Sequence, residues 1–362
     1  MRKVYVYAIC KNEEKHIERW YNSMKEADAI YCLDTGSTDN SVELLKNLGV
    51  HVTTKTYDHF SFCKARNDSL NLLPKEECIC VCTDIDEILD KGWREKLESI
   101  WTDDTKRIRY NMNFSFDDEG KPISTYFISK IHTRFDYTWD HDIHEVITYI
   151  GKEEEKVITT NLFNINHYPD RNKSRDFYFD LLKKSVEKDP ENSRDTYYLA
   201  REYMYNKDYE NSISMFLKYL NLKTSTFLEE KSSALRYISH CYKSLGRKDE
   251  ELLYIEKSIE LTPYLKEGYI LMGIYYYNNN NYENAIDYLT KANLIKERST
   301  VFINEDYAWN ETTNDLLSIC YYYLGLYEEA YFYGKKALDQ NPNNKRIKNN
   351  LKYFEKALNN KE

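Results

Sequence analysis

Glycine and proline are scarce in this 362-residue chain, at 10 and 6 residues. Long disordered linkers, which draw on both, are therefore not expected. No apolar run approaches the roughly 20 residues that a membrane-spanning helix needs. The opening segment Met1 to Lys11 has too short an apolar core for a secretory signal, and no cleavage-site pattern follows it. Eight cysteines occur without a single C-x-x-C pair, so reduced thiols and a cytoplasmic location are expected. Basic charge is not in excess: 51 Lys and Arg face 60 Asp and Glu, a net charge of −9. A nucleic-acid surface, whose footprint is a basic stripe, is thereby disfavoured. Neither G-x-G-x-x-G nor G-x-x-x-x-G-K is present, which removes the dinucleotide fingerprint and the P-loop.

What the chain does have is 41% hydrophobic and 31% charged residues, 35 tyrosines, and length enough for two domains. Its most informative stretch is Val81-Cys82-Thr83-Asp84-Ile85-Asp86-Glu87. The run from Cys78 to Thr83 is short, apolar and β-compatible, as for a buried strand. Cys78, Cys80 and Cys82 alternate along it and read as small core residues on one face. Three carboxylates stand where that strand leaves the core, the end at which open α/β sheets bind ligands. If the strand is still extended there, Asp84 and Asp86 share a face, and paired hard oxygen ligands suit Mg²⁺ or Mn²⁺ held together with a phosphate. The plainer account is a strand end followed by a helix whose dipole favours acids.

The first hundred residues alternate strand and helix. Strands are expected at Lys3 to Cys10, Ala29 to Leu33, Val50 to Thr54 and Cys78 to Thr83. The first helix runs from Asn12-Glu13-Glu14 to about Lys25, with Ile17, Trp20, Tyr21 and Met24 on one face. A second follows Gly36, with Ser37 or Thr38 as its cap, and a third starts at Phe62 and ends near Leu73-Pro74. This alternation means a parallel sheet with helices on both faces. From Lys106 to His167 the pattern changes to strands joined by polar turns, read as a smaller mixed sheet beside the parallel one.

After Arg171 strands vanish. Arg175 to Lys188 reads as a helix stopped by Pro190. A unit then recurs, with anchors at Tyr209, Lys248, Tyr282 and Tyr327, spaced 39, 34 and 45 residues apart. This resembles a tetratricopeptide array with a 34-residue unit and lengthened connections near Ser225 and Thr300. Each helix pair cannot bury its apolar face alone, so the units must stack into a solenoid.

Four segments carry a further resemblance: Ala8-Ile9-Cys10-Lys11-Asn12-Glu13-Glu14, Leu33-Asp34-Thr35-Gly36-Ser37-Thr38-Asp39, Ala65-Arg66-Asn67 and Asp84-Ile85-Asp86-Glu87. In that order and spacing they resemble glycosyltransferase family 2 on a GT-A fold. The fold class expected is thus an α/β GT-A domain over residues 1–170 followed by an all-α tetratricopeptide solenoid over residues 171–362. The combination is similar to peptide-modifying members, including the S-glycosyltransferases of glycosylated bacteriocins, and to some surface-polysaccharide transferases.

The resemblance implies an inverting, metal-dependent transfer of a sugar from a nucleotide-diphosphate donor, a UDP-sugar first, to a peptide or protein held by the repeats. It implies that Asp34 accepts hydrogen bonds from the base, that Glu13 or Glu14 faces the ribose, and that Asn12 is among the substrate-binding residues. Arg66 would approach the base or pyrophosphate with a fork of donors, and Asp84 would line the ribose side. Asp86 would bind Mn²⁺ or Mg²⁺, with His167 or His144 completing the shell. The acceptor's proton needs a base. Glu145, in His144-Glu145, is the first choice, with Asp142 and Asp140 open; many family members show Glu-Asp at this place. Other readings are transfer to a surface polysaccharide or lipid-linked glycan, and a non-catalytic scaffold with a sugar-nucleotide-binding domain. A nucleotidyltransferase is disfavoured, because Lys11-Asn12-Glu13-Glu14 is not a glycine-rich basic loop. Oligomeric state does not follow from the sequence, and a homodimer is one open option.

Overall fold

The computed structural model describes residues 2–117, 119–170, 176–299 and 301–359, and for Asp176 and Phe177 the backbone alone. Arg171 and Arg175, at the start of the expected helical region, and Thr300 lie outside the described residues. The chain forms two compact units, Met1–Leu181 and Leu182–Glu362.

In the first unit the alternation is β1 (Lys3–Cys10), α1 (Glu14–Met24), β2 (Ala29–Asp34), α2 (Ser41–Asn47), β3 (His51–Thr54), α3 (Phe62–Leu70) and β4 (Cys78–Cys82). There follow β5 (Glu87–Leu89), α4 (Trp93–Ile100), β6 (Arg107–Phe116), β7 (Pro122–Thr133), β8 (Tyr137–Asp140), β9 (Val146–Tyr149) and β10 (Val157–His167). One sheet of eight strands runs in the order β3-β2-β1-β4-β7-β6-β10-β5. Strands β1 to β4 are mutually parallel where they pair, β7 is antiparallel to β4 and β6, and β10 is parallel to β6.

The expectation of a separate smaller sheet after Lys106 is corrected here. Strands β6, β7 and β10 extend the parallel sheet itself, because β4 is buried along its whole length and its free edge needs a partner. β7 supplies it, with Ile79 opposite Thr133 and Val81 opposite Ile131. Among the described residues, only β8 and β9 form a sheet of their own.

Side chains alternate cleanly across the sheet. Val4, Val6, Ala8, Ile79 and Val81 face α1 and α4 through Ile17, Trp20, Met24, Trp93 and Leu97. Tyr5, Tyr7, Cys78, Cys80 and Cys82 face the other way, onto Leu70, Leu73, Tyr137, Trp139 and Ile147. The polar atoms on this second side are satisfied in a chain. Trp139 Nε1 donates to Tyr7 Oη at 2.9 Å, Tyr7 Oη bonds His132 Nε2 at 2.8 Å, and His132 Nδ1 donates to the Thr133 carbonyl at 2.7 Å. Burial, with Arg107 and Arg134 nearby, pushes the His132 pKa down to about 3 against the Thr133 bond, so the ring stays neutral.

In the second unit, α5 (Asp176–Lys188), which begins in the first, leads into α6 (Ser193–Tyr205), α7 (Tyr209–Asn221), α8 (Leu228–Ser244), α9 (Lys248–Leu261), α10 (Lys266–Asn278) and α11 (Tyr282–Leu294). The remaining helices are α12 (Asp306–Trp309), α13 (Thr312–Tyr323), α14 (Tyr327–Gln340) and α15 (Lys345–Asn359). The four anchors Tyr209, Lys248, Tyr282 and Tyr327 are each the first residue of the second helix of a hairpin. Asp208 and Asn281 cap two of these second helices by accepting from Asn211 N and Asn284 N. Hairpins close tightly at small residues: a Cβ on Gly273 would stand 2.6 Å from Leu289 Cγ across α10 and α11. The long first interval owes as much to α8, at 17 residues, as to the connection near Ser225. The long third interval holds α12. Among the described residues, no helix is long and apolar enough to cross a membrane.

Candidate active site

Three neighbouring strands, β2, β1 and β4, end at one edge of the sheet, and the loops that leave them are tied together. Asn12, at the end of β1, has left-handed backbone with φ 55°. Its Oδ1 accepts from Thr38 N at 2.7 Å and its own N–H donates to Ser37 Oγ at 2.9 Å. Glu13 N donates to Ser41 Oγ at 2.8 Å, and the Glu14 carboxylate accepts from Asn40 N at 3.1 Å. Ser37 therefore braces the β1 loop rather than capping α2, whose N-cap residue is Asn40. Asp34, buried at the end of β2, accepts from Gly36 N and Ser37 N at 3.2 and 3.1 Å. Gly36, at φ +104°, takes a conformation that side chains rarely adopt, and this lets the turn close on the carboxylate.

The end of β4 carries a denser network. Arg66 projects from α3 and is almost fully buried. Its Nε donates to Glu145 Oε1 at 2.9 Å, its Nη2 to Asp84 Oδ1, and its Nη1 to the Thr83 carbonyl at 3.4 Å. From the other side, Lys130 Nζ reaches Asp84 Oδ2 and Glu87 Oε1, both at 2.8 Å. Glu87 in turn accepts from Asp84 N at 2.8 Å. Five charged side chains from α3, the β4 end, β5, β7 and the loop before β9 thus share one hydrogen-bonded string. Burial works against the Asp84 charge, but Arg66 and Lys130 override it and hold the carboxyl well below the usual range. Burial, together with the Asp84 charge, raises Glu87 in spite of Lys130.

Asp86 and His167 form a second pair. β5 and β10 pair antiparallel, placing His167 opposite Glu87, and Tyr168 N donates to the Asp86 carbonyl at 2.9 Å. His167 Nε2 stands 3.4 Å from Asp86 Oδ2, while its Nδ1 lies 3.3 Å from the Phe114 carbonyl, and the ring stacks on Phe114 at 4.8 Å. A carbonyl only accepts, so Nδ1 carries the hydrogen and Nε2 turns its lone pair toward a carboxylate. Two acceptors face each other, an arrangement that calls for a proton or a cation between them. Burial lowers the His167 pKa, but the Asp86 hydrogen bond and charge outweigh it and raise the value. A histidine whose second nitrogen is fixed by a carbonyl is how protein metal ligands are oriented, and one carboxylate plus an imidazole, completed by phosphate oxygens, suits Mn²⁺ or Mg²⁺. These two residues fit such an ion. Among the described residues, no group of three or more His, Cys, Asp or Glu is gathered as a closed metal cage.

The stretch before Glu145 is conformationally unusual. Asp136, His141 and His144 all have positive φ, at 68°, 67° and 51°. Asp and His tolerate this region better than most residues, yet each costs free energy. The strain is held by contacts to α3: Asp142 accepts from Ser61 Oγ and from Phe62 N at the start of that helix, one turn ahead of Arg66. Asp142 is thus engaged in fixing the helix start, and Asp140 is exposed with Oδ1 accepting from His141 N. Of the three carboxylates considered for the base, Glu145 is the one joined to the Arg66 network.

Residues 5–152 match the family described as Glycosyl transferase family 2, and residues 238–264 and 267–298 match a tetratricopeptide repeat family. Residues 5–152 thus carry a glycosyltransferase family 2 domain. Similar curated proteins are uncharacterized glycosyltransferases of Rickettsia prowazekii and Rickettsia typhi, each 30% identical over 106 and 105 residues. Each match takes in 28% of this chain and 34% of the relative, so the chain spans about a third of the length of the curated relatives it matches. Among solved structures, that of MamA is similar with a TM-score of 0.38, at 21% identity over 48% of this chain and 95% of that one.

Two members of the string in this family 2 domain went unassigned in the sequence reading. Glu87 was seen as a third acid without a role. Lys130 was not singled out at all, although it is the lone charge between Ile128 and Ile131 in a strand-like run. A charge inside such a run, on a strand bound for the middle of a sheet, is the signal that would have found it.

Proposed function

We propose that the chain is an inverting, metal-dependent glycosyltransferase that takes a sugar from a nucleoside diphosphate, UDP first, and delivers it to a peptide or protein. The observation that carries this reading is the facing Asp86 and His167 pair beside the Arg66–Asp84–Lys130 string, at the carboxyl end of β4 in a family 2 domain.

Asp34 would receive the base: two backbone N–H groups already orient its carboxylate, and an ionised carboxylate has about four acceptor positions. Asn12, Glu13 and Glu14 would border the ribose from the braced β1 loop. Arg66 and Lys130 keep Asp84 ionised and fixed, so the wall beside the ribose is preorganised before the donor arrives. Asp86 and His167 would hold Mn²⁺ or Mg²⁺. When bound, such an ion supplies Lewis-acid stabilisation of the departing diphosphate. Glu145 would take the acceptor's proton: Arg66 engages its Oε1 and fixes the carboxylate plane, so Oε2 is the oxygen assigned to that proton.

Calorimetry with UDP and Mn²⁺ tests the donor half. Asp86→Ala is expected to abolish metal-dependent UDP binding while the thermal unfolding midpoint stays near wild type, because the side chain lies at a loop after β4 and not in the core. Unchanged affinity in that variant would contradict the role given to Asp86.

A further inference from the structure

Part of the connection between α11 and α13 packs back onto the preceding helices. Ser299 and residues 301–309 lie against α8 and the opening turn of α10, the first helices of two successive hairpins. Ser299 Oγ donates to Glu229 Oε2 at 2.5 Å, and the Phe302 ring meets Phe227 edge-on at 5.5 Å, against the core of α6, α7 and α8. Glu305 N donates to Glu267 Oε1 at 3.3 Å, and Glu305 Oε1 accepts from Tyr237 Oη at 3.0 Å. The segment is internally pinned, with Ser299 N donating to Asn304 Oδ1 and Asn304 Nδ2 to the Ser299 carbonyl. Ala308, fully buried with Ile270, Leu289 and Leu317, anchors its far end.

The surface beneath this segment is built for an acid next to an aromatic. Arg236, 4% exposed, donates to Ser232 Oγ and lies within electrostatic reach of Glu305 and Glu267. Arg201 sits among the rings of Tyr197, Tyr198, Tyr205 and Tyr237, at 5.4 to 5.9 Å. Neither guanidinium makes an ion pair with a carboxylate among the described residues, and Arg201 Nε is buried with no hydrogen-bond partner there. Two cations thus flank Tyr237, and one chain carboxylate, Glu305, has come to it.

We propose that Ser299, Phe302 and Glu305 form a built-in ligand of the α8–α10 face, and that the polypeptide acceptor displaces them. The incoming chain would present the same chemistry: an aromatic side chain for the Phe302 site and, three residues on, a carboxylate for Tyr237 between Arg201 and Arg236. This rests on the reading that the repeats hold a polypeptide acceptor. A tethered ligand competes at an effective concentration on the order of millimolar, so the free face is a minor population in the resting protein.

The probe is a fluorescent peptide spanning residues 297–306, titrated by anisotropy against the full-length chain and against Phe302→Ala/Glu305→Gln. The double variant is expected to bind it at least about tenfold more tightly than wild type, since apparent affinity scales with the free fraction. A peptide with alanine at its Phe and Glu positions is expected to bind neither. Should the double variant not fold, Glu305→Gln alone removes one charge and is expected to move affinity the same way by a smaller factor. Equal binding to wild type and variant, or no binding to a folded variant, overturns the proposal and makes the segment a structural brace only. Donor hydrolysis is measured in the same samples: its absence alongside successful peptide exchange would count against the transferase reading and leave the built-in ligand standing.

Discussion

Replacing Lys130 by Met probes the charged string with little change in side-chain volume. Lys130 Nζ is shared by Asp84 and Glu87 at 2.8 Å each. The two acids do not lose equally. Asp84 keeps Arg66 and has a side chain about a third exposed, whereas Glu87 is 1% exposed and would be left with a buried charge and no cation. Removing one partner of a buried pair costs about 3–5 kcal/mol, and that is the destabilisation expected at pH 7 by urea unfolding. The sign of its pH dependence follows from Glu87. Without Lys130 its folded pKa rises further above the unfolded value, so the native state takes up a proton that the unfolded state has lost. The deficit is therefore largest at pH 7 and shrinks toward pH 5, as Glu87 becomes neutral. Adding Glu87→Gln to Lys130→Met removes the orphaned charge and should recover about 1–3 kcal/mol, a coupling typical of residues in one network. A Lys130→Met deficit below about 1 kcal/mol at pH 7, or no recovery in the double variant, would refute the view that the string is an interdependent buried network.

Two further outcomes are expected. Glu145→Gln should leave UDP affinity nearly unchanged while transfer to a hydroxyl acceptor falls by about 10²–10⁴-fold, followed by product formation; full activity there with loss in Asp142→Asn or Asp140→Asn would move the base to one of those aspartates. His132 binds no proton in the folded state until about pH 3, whereas the unfolded chain takes one up near its ordinary value of 6.5, so folding stability should fall by about 1.4 kcal/mol per unit as pH drops below about 6.5; His132→Gln should lose that slope in urea unfolding between pH 7 and 5, and an identical slope in variant and wild type would contradict it.

The alternation of strand and helix up to β4 was legible because each element carries its own period: Val4, Val6 and Ala8 at two, Ile17, Trp20 and Met24 at three to four. The repeats were legible because one sequence unit recurs, and its anchors fall on the first residues of α7, α9, α11 and α14. The joining of β7 to β4 was not, because strand pairing is decided by non-local edges and the pattern of β7 is half polar. In the site, Asp84 and Asp86 stood out by their position at a strand end. That they belong to different sets, one with Arg66 and Lys130 and one with His167, depends on β5 and β10 pairing about eighty residues apart in sequence. The packing of Ser299 and residues 301–309 back over α8 and α10 was visible only as an overlong spacing.

The most direct test of the central claim is a donor screen. The full-length chain is incubated with Mn²⁺ and a panel of UDP- and GDP-sugars, and free nucleotide is measured over time. The account predicts release from at least one UDP-sugar, lost on chelation of the metal and lost in Asp86→Ala. No release from any donor by a chain that binds neither UDP nor GDP would contradict it.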